Sequence, residues 1–188
     1  LTGVQRATDL TAKLLAFARK GKYLTVPVDV HRIVVEVASL LRHTIGRNIH
    51  IRQSFNADPS IPKGDPSQLQ STILNLAINA RDAMTQRGTL RIGVRSMRLE
   101  TERPFSYVTL PAGSYLAIDV SDTGDGIPLA VRERMFDPFF TTKPTGQGNT
   151  GLGLSISHDI IVQVHEGKLE VYTEPGEFTE FMIILPTS

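Results

Sequence analysis

The segment Asp122-Thr123-Gly124-Asp125-Gly126-Ile127-Pro128 stands directly after a predicted strand, Tyr115 through Val120. A carboxylate at a strand end can accept a hydrogen bond from an exocyclic amine, such as that of adenine. The glycines beside it let the backbone pass close to a flat ligand. The same residues also read as a plain Asp-Gly turn, so neighbouring segments must decide. Asp-Thr-Gly also occurs in aspartic proteases, which need two such aspartates. The chain holds one copy, and a dimer would have to supply the second.

Downstream lies Gly146-Gln147-Gly148-Asn149-Thr150-Gly151-Leu152-Gly153, opening a predicted helix. Bare amides and the helix dipole at such an N-terminus favour phosphate. Residues 146–151 match G-x-G-x-x-G, but the dinucleotide-binding version follows a strand and this one follows a Phe/Thr/Pro loop. With no Gly-Lys-Ser/Thr, the segment is not a P-loop. It reads as a flexible cover over phosphates with Lys143 as counter-charge, or as a merely mobile loop. Before it runs Phe136-Asp137-Pro138-Phe139-Phe140-Thr141-Thr142-Lys143, with three of the chain's eight phenylalanines. They either pack the core or anchor one end of the cover.

Upstream, Asn75 and Asn79 lie four residues apart and so share one side of a predicted helix. Two asparagines beside an apolar stripe need polar partners. Either they satisfy neighbouring backbone groups, or a side-chain oxygen ligates a hard cation such as Mg²⁺, which favours oxygen and is often shared with phosphates.

Around these segments the periodicity predicts the remaining elements. Residues 4–19 read as an amphipathic helix, stopped at Gly21. An extended linker, YLTVPVD, follows. A helix capped by Asp29 spans 29–45, with Val30, Ile33, Val34, Val37, Leu40 and Leu41 inward. Ile49–Phe55 suggests a short strand. Asp65-Pro66 is a strong helix start, and that helix runs to about Gln86 over Leu69, Ile73, Leu76, Ala77, Ala80 and Met84. A strand covers 89–98, and a polar loop continues to about Ala112. Pro128 opens a short helix to Met135. Residues 137–150 form a loop and 152–164 a helix. Strands 168–173 and 179–185 meet at a Pro175-Gly176 turn. The order is two helices, then a mixed β/α domain of about five strands, with a boundary near residues 21–28.

The length of 188 residues suits one domain with a small appendage. Forty per cent hydrophobic and 21% charged residues exclude disorder, collagen and coiled coil as descriptions of the whole. Without cysteine, disulfide scaffolds, thiolate zinc sites and cysteine nucleophiles are excluded. No apolar run reaches the ~18 residues of a membrane span, and the polar start reads as no leader peptide. Beginning at Leu1, the chain reads as part of a longer one. The net charge of +1 hides a split. Residues 1–55 hold nine Lys/Arg against three Asp/Glu, and residues 56–188 hold eleven against sixteen. The basic part is a solvated helix pair or a docking surface for an acidic partner. No aromatics interleave with the basic residues, which argues against nucleic acid.

Taken in order, these segments closely resemble the catalytic and ATP-binding domain of sensor histidine kinases, in the GHKL superfamily. NLAINARDAM resembles its N box, DTGDGIP its G1 box, FDPFFTTK its F box and GQGNTGLGLS its G2 box. GEFTEF resembles the closing strand, where Thr179 would sit near adenine. The resemblance covers about residues 56–188. LLAFARKGK resembles the tail of the dimerisation and phosphoacceptor domain, which implies residues 1–24 for that tail and 25–188 for the ATP-binding domain. The implied fold is α+β: a two-layer sandwich of helices on a mixed sheet of about five strands, the Bergerat fold, preceded by an N-terminal helix.

The resemblance implies ATP and Mg²⁺ as ligands. Asn79 would ligate the metal, Asp122 would contact the adenine amine, and Gly124 and Gly126 would let the base approach. Ala83, Ile127, Thr142, Lys143, Gly151, Leu152, Gly153, Leu154 and Thr179 would complete the nucleotide site, with Asn75, Asn79 and Lys143 as the catalytic group. In hydrolytic relatives a water-activating glutamate stands where Asn75 does. An amide is a poor general base, so Asn75 suits transfer to a protein nucleophile. Departures are Asn149, a one-residue insertion among the glycines; Asp82, where many relatives carry a base, so that its role falls to Arg81 or Lys143; and His165-Glu166-Gly167 in place of His-Gly-Gly. None of the five histidines lies in the acceptor context, so the acceptor is expected upstream. The implied partners are the chain's own dimerisation domain, in a homodimeric parent, and a response-regulator receiver domain. The implied location is cytoplasmic, in a parent that is either free or membrane-anchored. The alternatives are a nucleotide-binding scaffold without transfer and a GHKL ATPase.

Overall fold

The computed structural model describes residues 24–57, 61–105, 109–144 and 149–187. The helix expected over 4–19 and the division near residue 24 lie outside the described residues. So do Gly146 and Gly148.

Two-residue strands β1 (Val26–Pro27) and β3 (Lys63–Gly64) pair with each other. Helix α1 (Val30–Arg42) starts where Asp29 accepts a hydrogen bond from the Arg32 amide at 3.0 Å. Strand β2 (Ile49–Asn56) follows. Helix α2 (Pro66–Ala83) begins as its sequence dictates: Asp65 accepts from the Ser67 and Gln68 amides, and Pro66 supplies the first turn. Strand β4 (Gly88–Leu99) comes next, then a small hairpin of β5 (Arg103–Pro104) and β6 (Thr109–Leu110), then β7 (Gly113–Asp122). Helices α3 (Leu129–Arg132) and α4 (Gly153–Asp159) precede β8 (Lys168–Glu174) and β9 (Phe178–Pro186).

The main sheet runs β2-β4-β7-β9-β8, with β2 parallel to β4 and every other pair antiparallel. Alternation decides its faces. Leu90, Ile92, Val94, Leu116, Ile118, Val120, Val171, Phe181 and Ile183 point to one side, where they meet Val34, Val37 and Leu41 of α1 and Leu69, Ile73, Leu76 and Ala77 of α2. On the other side Leu99, Leu110, Tyr115, Ala117, Met182 and Ile184 form a smaller cluster. The result is the expected α+β two-layer sandwich.

Several local expectations are corrected. Leu40 is 53% exposed, and Ala38 takes the buried place on α1. Helix α2 stops at Ala83, because Met84 turns out of helical geometry and its side chain is buried under Gly88. The polar loop contains the β5–β6 hairpin. The helix after Pro128 spans only Leu129–Arg132. The helix expected over 152–164 is α4 continued by a π-helical turn, Ile160–Val164. His165 ends that turn: its Nδ1 donates to Ile160 O at 3.0 Å, and its Nε2 accepts from the Asp65 amide at 3.1 Å. The imidazole thus ties this turn to the start of α2 in its neutral Nδ1–H form. Among the described residues no helix is long and apolar enough to cross a membrane.

Candidate functional site

Helix α2 is the spine of the site. Asn75, Asn79 and Ala83 follow at four-residue intervals, each one turn and about 6 Å farther along the axis. Each touches a different segment.

At the C-terminal end, the Ala83 carbonyl accepts from the Asp125 amide at 3.2 Å. A Cβ on Gly124 would stand 2.6 Å from that oxygen, so the α2 end and the Asp122–Gly126 turn fit only without a side chain there. Asp122 is the last residue of β7 and only 5% exposed. Its Oδ1 accepts from the Gly124 amide at 2.8 Å, and its carboxyl also accepts from the amide of Thr179, its register partner on β9. Burial raises the Asp122 carboxyl to about 6; the two amides pull it down and Asp125 pushes it up. Gly126 has φ +68°, and a Cβ there would meet Glu174 O at 2.2 Å. Both glycines are therefore demanded by backbone packing. Thr173 holds the far side of the turn: its Oγ1 accepts from the Ile127 amide at 2.8 Å, lies 3.2 Å from Thr179 Oγ1 and donates to Phe178 O.

In the middle of the spine, Asn79 Oδ1 accepts from Lys143 Nζ at 3.2 Å. The same ammonium donates to Asp82 Oδ2 at 2.6 Å. Thr142 is exposed beside it. At the N-terminal end, Asn75 Nδ2 donates to Ser157 Oγ at 2.9 Å, and a Cβ on Gly153 would lie 2.7 Å from Asn75 Oδ1. Asn75 is a tie between α2 and α4. No side chain caps the first turn of α4. Leu152 is buried and Leu154 packs against the core. Gly151, at φ +66°, lies so close that a Cβ would reach the Phe139 carbonyl carbon at 2.4 Å.

The three phenylalanines diverge. Phe136 packs on the core and meets the His158 ring at 5.0 Å. Phe140 lies under the Arg134 guanidinium at 4.6 Å. Phe139 is 67% exposed at φ +67°, in a backbone region that aromatic residues rarely enter. Sequence reasoning missed Ser157 and Thr173. Two serines on the buried side of α4, Ser155 and Ser157, were the available signal, since buried hydroxyls need partners.

Chemically, this side of α2 offers a buried carboxylate at one end and an amide oxygen already facing a cation midway. That donor set fits a ligand with an amine at one end and a hard cation with anionic oxygens at the other. Among the described residues no cluster of three His, Cys, Asp or Glu could hold a metal by itself. Asn79 would therefore share any cation with the ligand.

Residues 64–188 match the family model described as "Histidine kinase-, DNA gyrase B-, and HSP90-like ATPase". Sensor kinase CckA of Brucella abortus is 37% identical over 96% of this chain, and the match covers 19% of that protein. Sensory histidine kinase/phosphatase NtrB of Salmonella typhimurium is 32% identical over 96% of this chain and 49% of its own length. The chain thus spans between a fifth and a half of the curated relatives it resembles. The solved catalytic domain of histidine kinase ThkA superposes with a TM-score of 0.68 at 25% identity, over 86% of this chain and 97% of that one. By this match, which takes in α2, the Asp122–Gly126 turn and α4, the chain belongs to the histidine kinase-, DNA gyrase B- and HSP90-like ATPase family.

Proposed function

We propose that residues 25–188 bind ATP with Mg²⁺ and act as the catalytic domain of a sensor histidine kinase, passing the γ-phosphate to a histidine outside this chain for relay to a response-regulator aspartate. Residues 1–24 are then the end of the dimerisation and phosphoacceptor domain of a homodimeric parent that works in the cytoplasm. The observation that carries this reading is the spacing on α2: Ala83 abuts the turn that holds Asp122, and Asn79 one turn earlier already faces a cation.

In this reading Asp122 accepts the adenine amine, with Ala83, Ile127 and Thr179 walling the base. Asn79 ligates Mg²⁺, which when bound neutralises charge on the phosphates. Lys143 and the uncapped amides around Gly151, Leu152 and Gly153 hold the phosphate oxygens, flanked by Thr142 and Leu154. Asn75 keeps α4 against α2 through Ser157, so it orients the phosphate end. Catalysis is then positioning and charge neutralisation. An amide committed to Ser157 is also no base for water, which favours transfer over the hydrolytic alternative.

The test is calorimetric titration of ATP with and without Mg²⁺, beside Asn79→Ala and Asp122→Ala, followed by phosphohistidine detection on an acceptor domain supplied in trans. The expected result is Mg²⁺-dependent binding, weakened about tenfold or more in each variant, and a labelled acceptor. Absence of nucleotide binding would overturn the reading. Binding with no label on the acceptor would leave a nucleotide-binding scaffold.

A further inference from the structure

Lys143 reaches α2 at two points. Its Nζ donates to Asp82 Oδ2 at 2.6 Å and to Asn79 Oδ1 at 3.2 Å. The other Asp82 oxygen accepts twice from Arg81, from Nε at 2.9 Å and from Nη2 at 2.7 Å. Asp82 therefore stands between two cations while presenting one of them to the asparagine. Burial opposes the ionised Asp82 carboxylate, but the hydrogen bonds and charges of Lys143 and Arg81 outweigh it and hold the group below the usual carboxylate range. It is ionised at neutral pH and keeps its grip on the lysine.

Asn79 Oδ1 is the atom assigned to a divalent cation under the proposed function, and this inference rests on that reading. An ammonium and a metal ion on one amide oxygen would be two positive centres at contact distance, and their repulsion sets them in competition for it. Displacing the ammonium relieves that repulsion when the metal binds. What decides how firmly it stays is Asp82, three residues on along the same helix face.

We propose that Asp82 is a positioning residue that parks the Lys143 ammonium on Asn79 Oδ1, so that lysine and divalent cation compete for one oxygen. Asp82 does not touch the nucleotide. It sets how far the empty site is already neutralised by the chain's own lysine, and hence how much affinity the metal adds. The Lys143 and Asp82 side chains are 34% and 29% exposed, and partly exposed pairs of this kind shift local equilibria by small factors. The expected effect is therefore several-fold.

The experiment titrates ADP by calorimetry into wild type, Asp82→Asn, Asp82→Glu, Lys143→Met and the Asp82→Asn/Lys143→Met double variant, once in EDTA and once in excess Mg²⁺. The readout is the Mg²⁺ enhancement, the ratio of the two dissociation constants. Asp82→Asn should raise it about two- to fivefold. Asp82→Glu, which keeps the charge, should stay within a factor of two. Lys143→Met should raise the enhancement as Asp82→Asn does, whatever it does to affinity in EDTA. The double variant should go no further than either. An unchanged enhancement in Asp82→Asn, or effects that multiply in the double variant, overturns the proposal. If Asn79→Ala abolishes the enhancement while Asp82→Asn leaves it alone, the nucleotide reading stands and only this inference fails. If wild type binds no ADP, both fall. Asp82→Asn should melt within about 2 °C of wild type, since the carboxylate lies at the surface of α2.

Discussion

Asp122→Asn separates the stability of this fold from its proposed use, because one buried carboxylate serves both. The unfolded chain ionises an aspartate near ~3.9, whereas burial lifts Asp122 to about 6 in the folded chain. A raised acid means the folded state holds the proton more tightly. The unfavourable burial is therefore fully present above pH 6, shrinks as pH falls from 6 toward 4, and is gone below the unfolded value. The gap corresponds to about 3 kcal/mol at pH 8. Asparagine keeps an oxygen where Oδ1 accepts from the Gly124 amide and removes the charge. Its amide nitrogen brings a new donor that needs a partner, so the expected net gain is about 1–2 kcal/mol at pH 8, or roughly 2–8 °C in Tm for a chain of this length. Below pH 4 the gain should vanish or reverse. Urea unfolding at pH 4, 6 and 8 measures this directly. An Asp122→Asn variant that is less stable than wild type at pH 8 by as much as at pH 4 would refute the reasoning. The same variant should bind ADP less well at pH 8. A folded chain that gains stability as it loses nucleotide is hard to obtain by any route other than a destabilising carboxylate kept for a ligand.

Gly126→Ala should cost more than about 2 kcal/mol, read as a fall in Tm, since it combines positive φ with a Cβ placed on the Glu174 carbonyl; a loss below ~0.5 kcal/mol would show that the turn yields easily. Glu166→Gly should act in the opposite direction. Glu166 sits at φ +52° just after His165, and relieving that strain should raise stability by about 0.5–1 kcal/mol in urea unfolding; a destabilised variant would mean the glutamate side chain contributes more than the strain removes.

What could be read from the sequence was chemistry that is local along the chain. Asp65-Pro66 opens α2 because a capping carboxylate and a donor-free first residue act within one turn, and the structure has both. Alternation of Leu90, Ile92 and Val94 declares which face of β4 is covered, because a strand repeats every two residues. Leu40 defeats the same kind of reasoning on α1: the apolar stripe is wider than the layer that covers it, and Leu40 is left exposed while Ala38 is buried. The π-helical turn at Ile160–Val164 could not be seen, since apolar residues in a continuous run do not distinguish one helical pitch from another. Phe139 was equally opaque, because positive φ in an aromatic residue is imposed by surroundings and leaves no trace in composition.

Within the site the division is sharper. Asn75, Asn79 and Ala83 could be placed on one helix side from spacing alone, and the four motifs named the segments that meet that side. Yet the contacts that bring these segments together join residues far apart in the chain: Asn75 with Ser157, Ala83 with Asp125, Lys143 with Asp82. Asp82 shows why this matters. Considered alone it is a carboxylate where the resemblance leads one to expect a base, a reading that passes the phosphate role to Arg81 or Lys143. With the fold in hand, Asp82 grips both of those residues, so one carboxylate holds two cations. A departure from a family pattern has meaning only through the partners it acquires, and those partners are fixed by tertiary packing. The proposed effect of Asp82 on Mg²⁺ enhancement therefore follows from its contacts with Lys143 and Arg81, neither of which residue 82 reveals by itself.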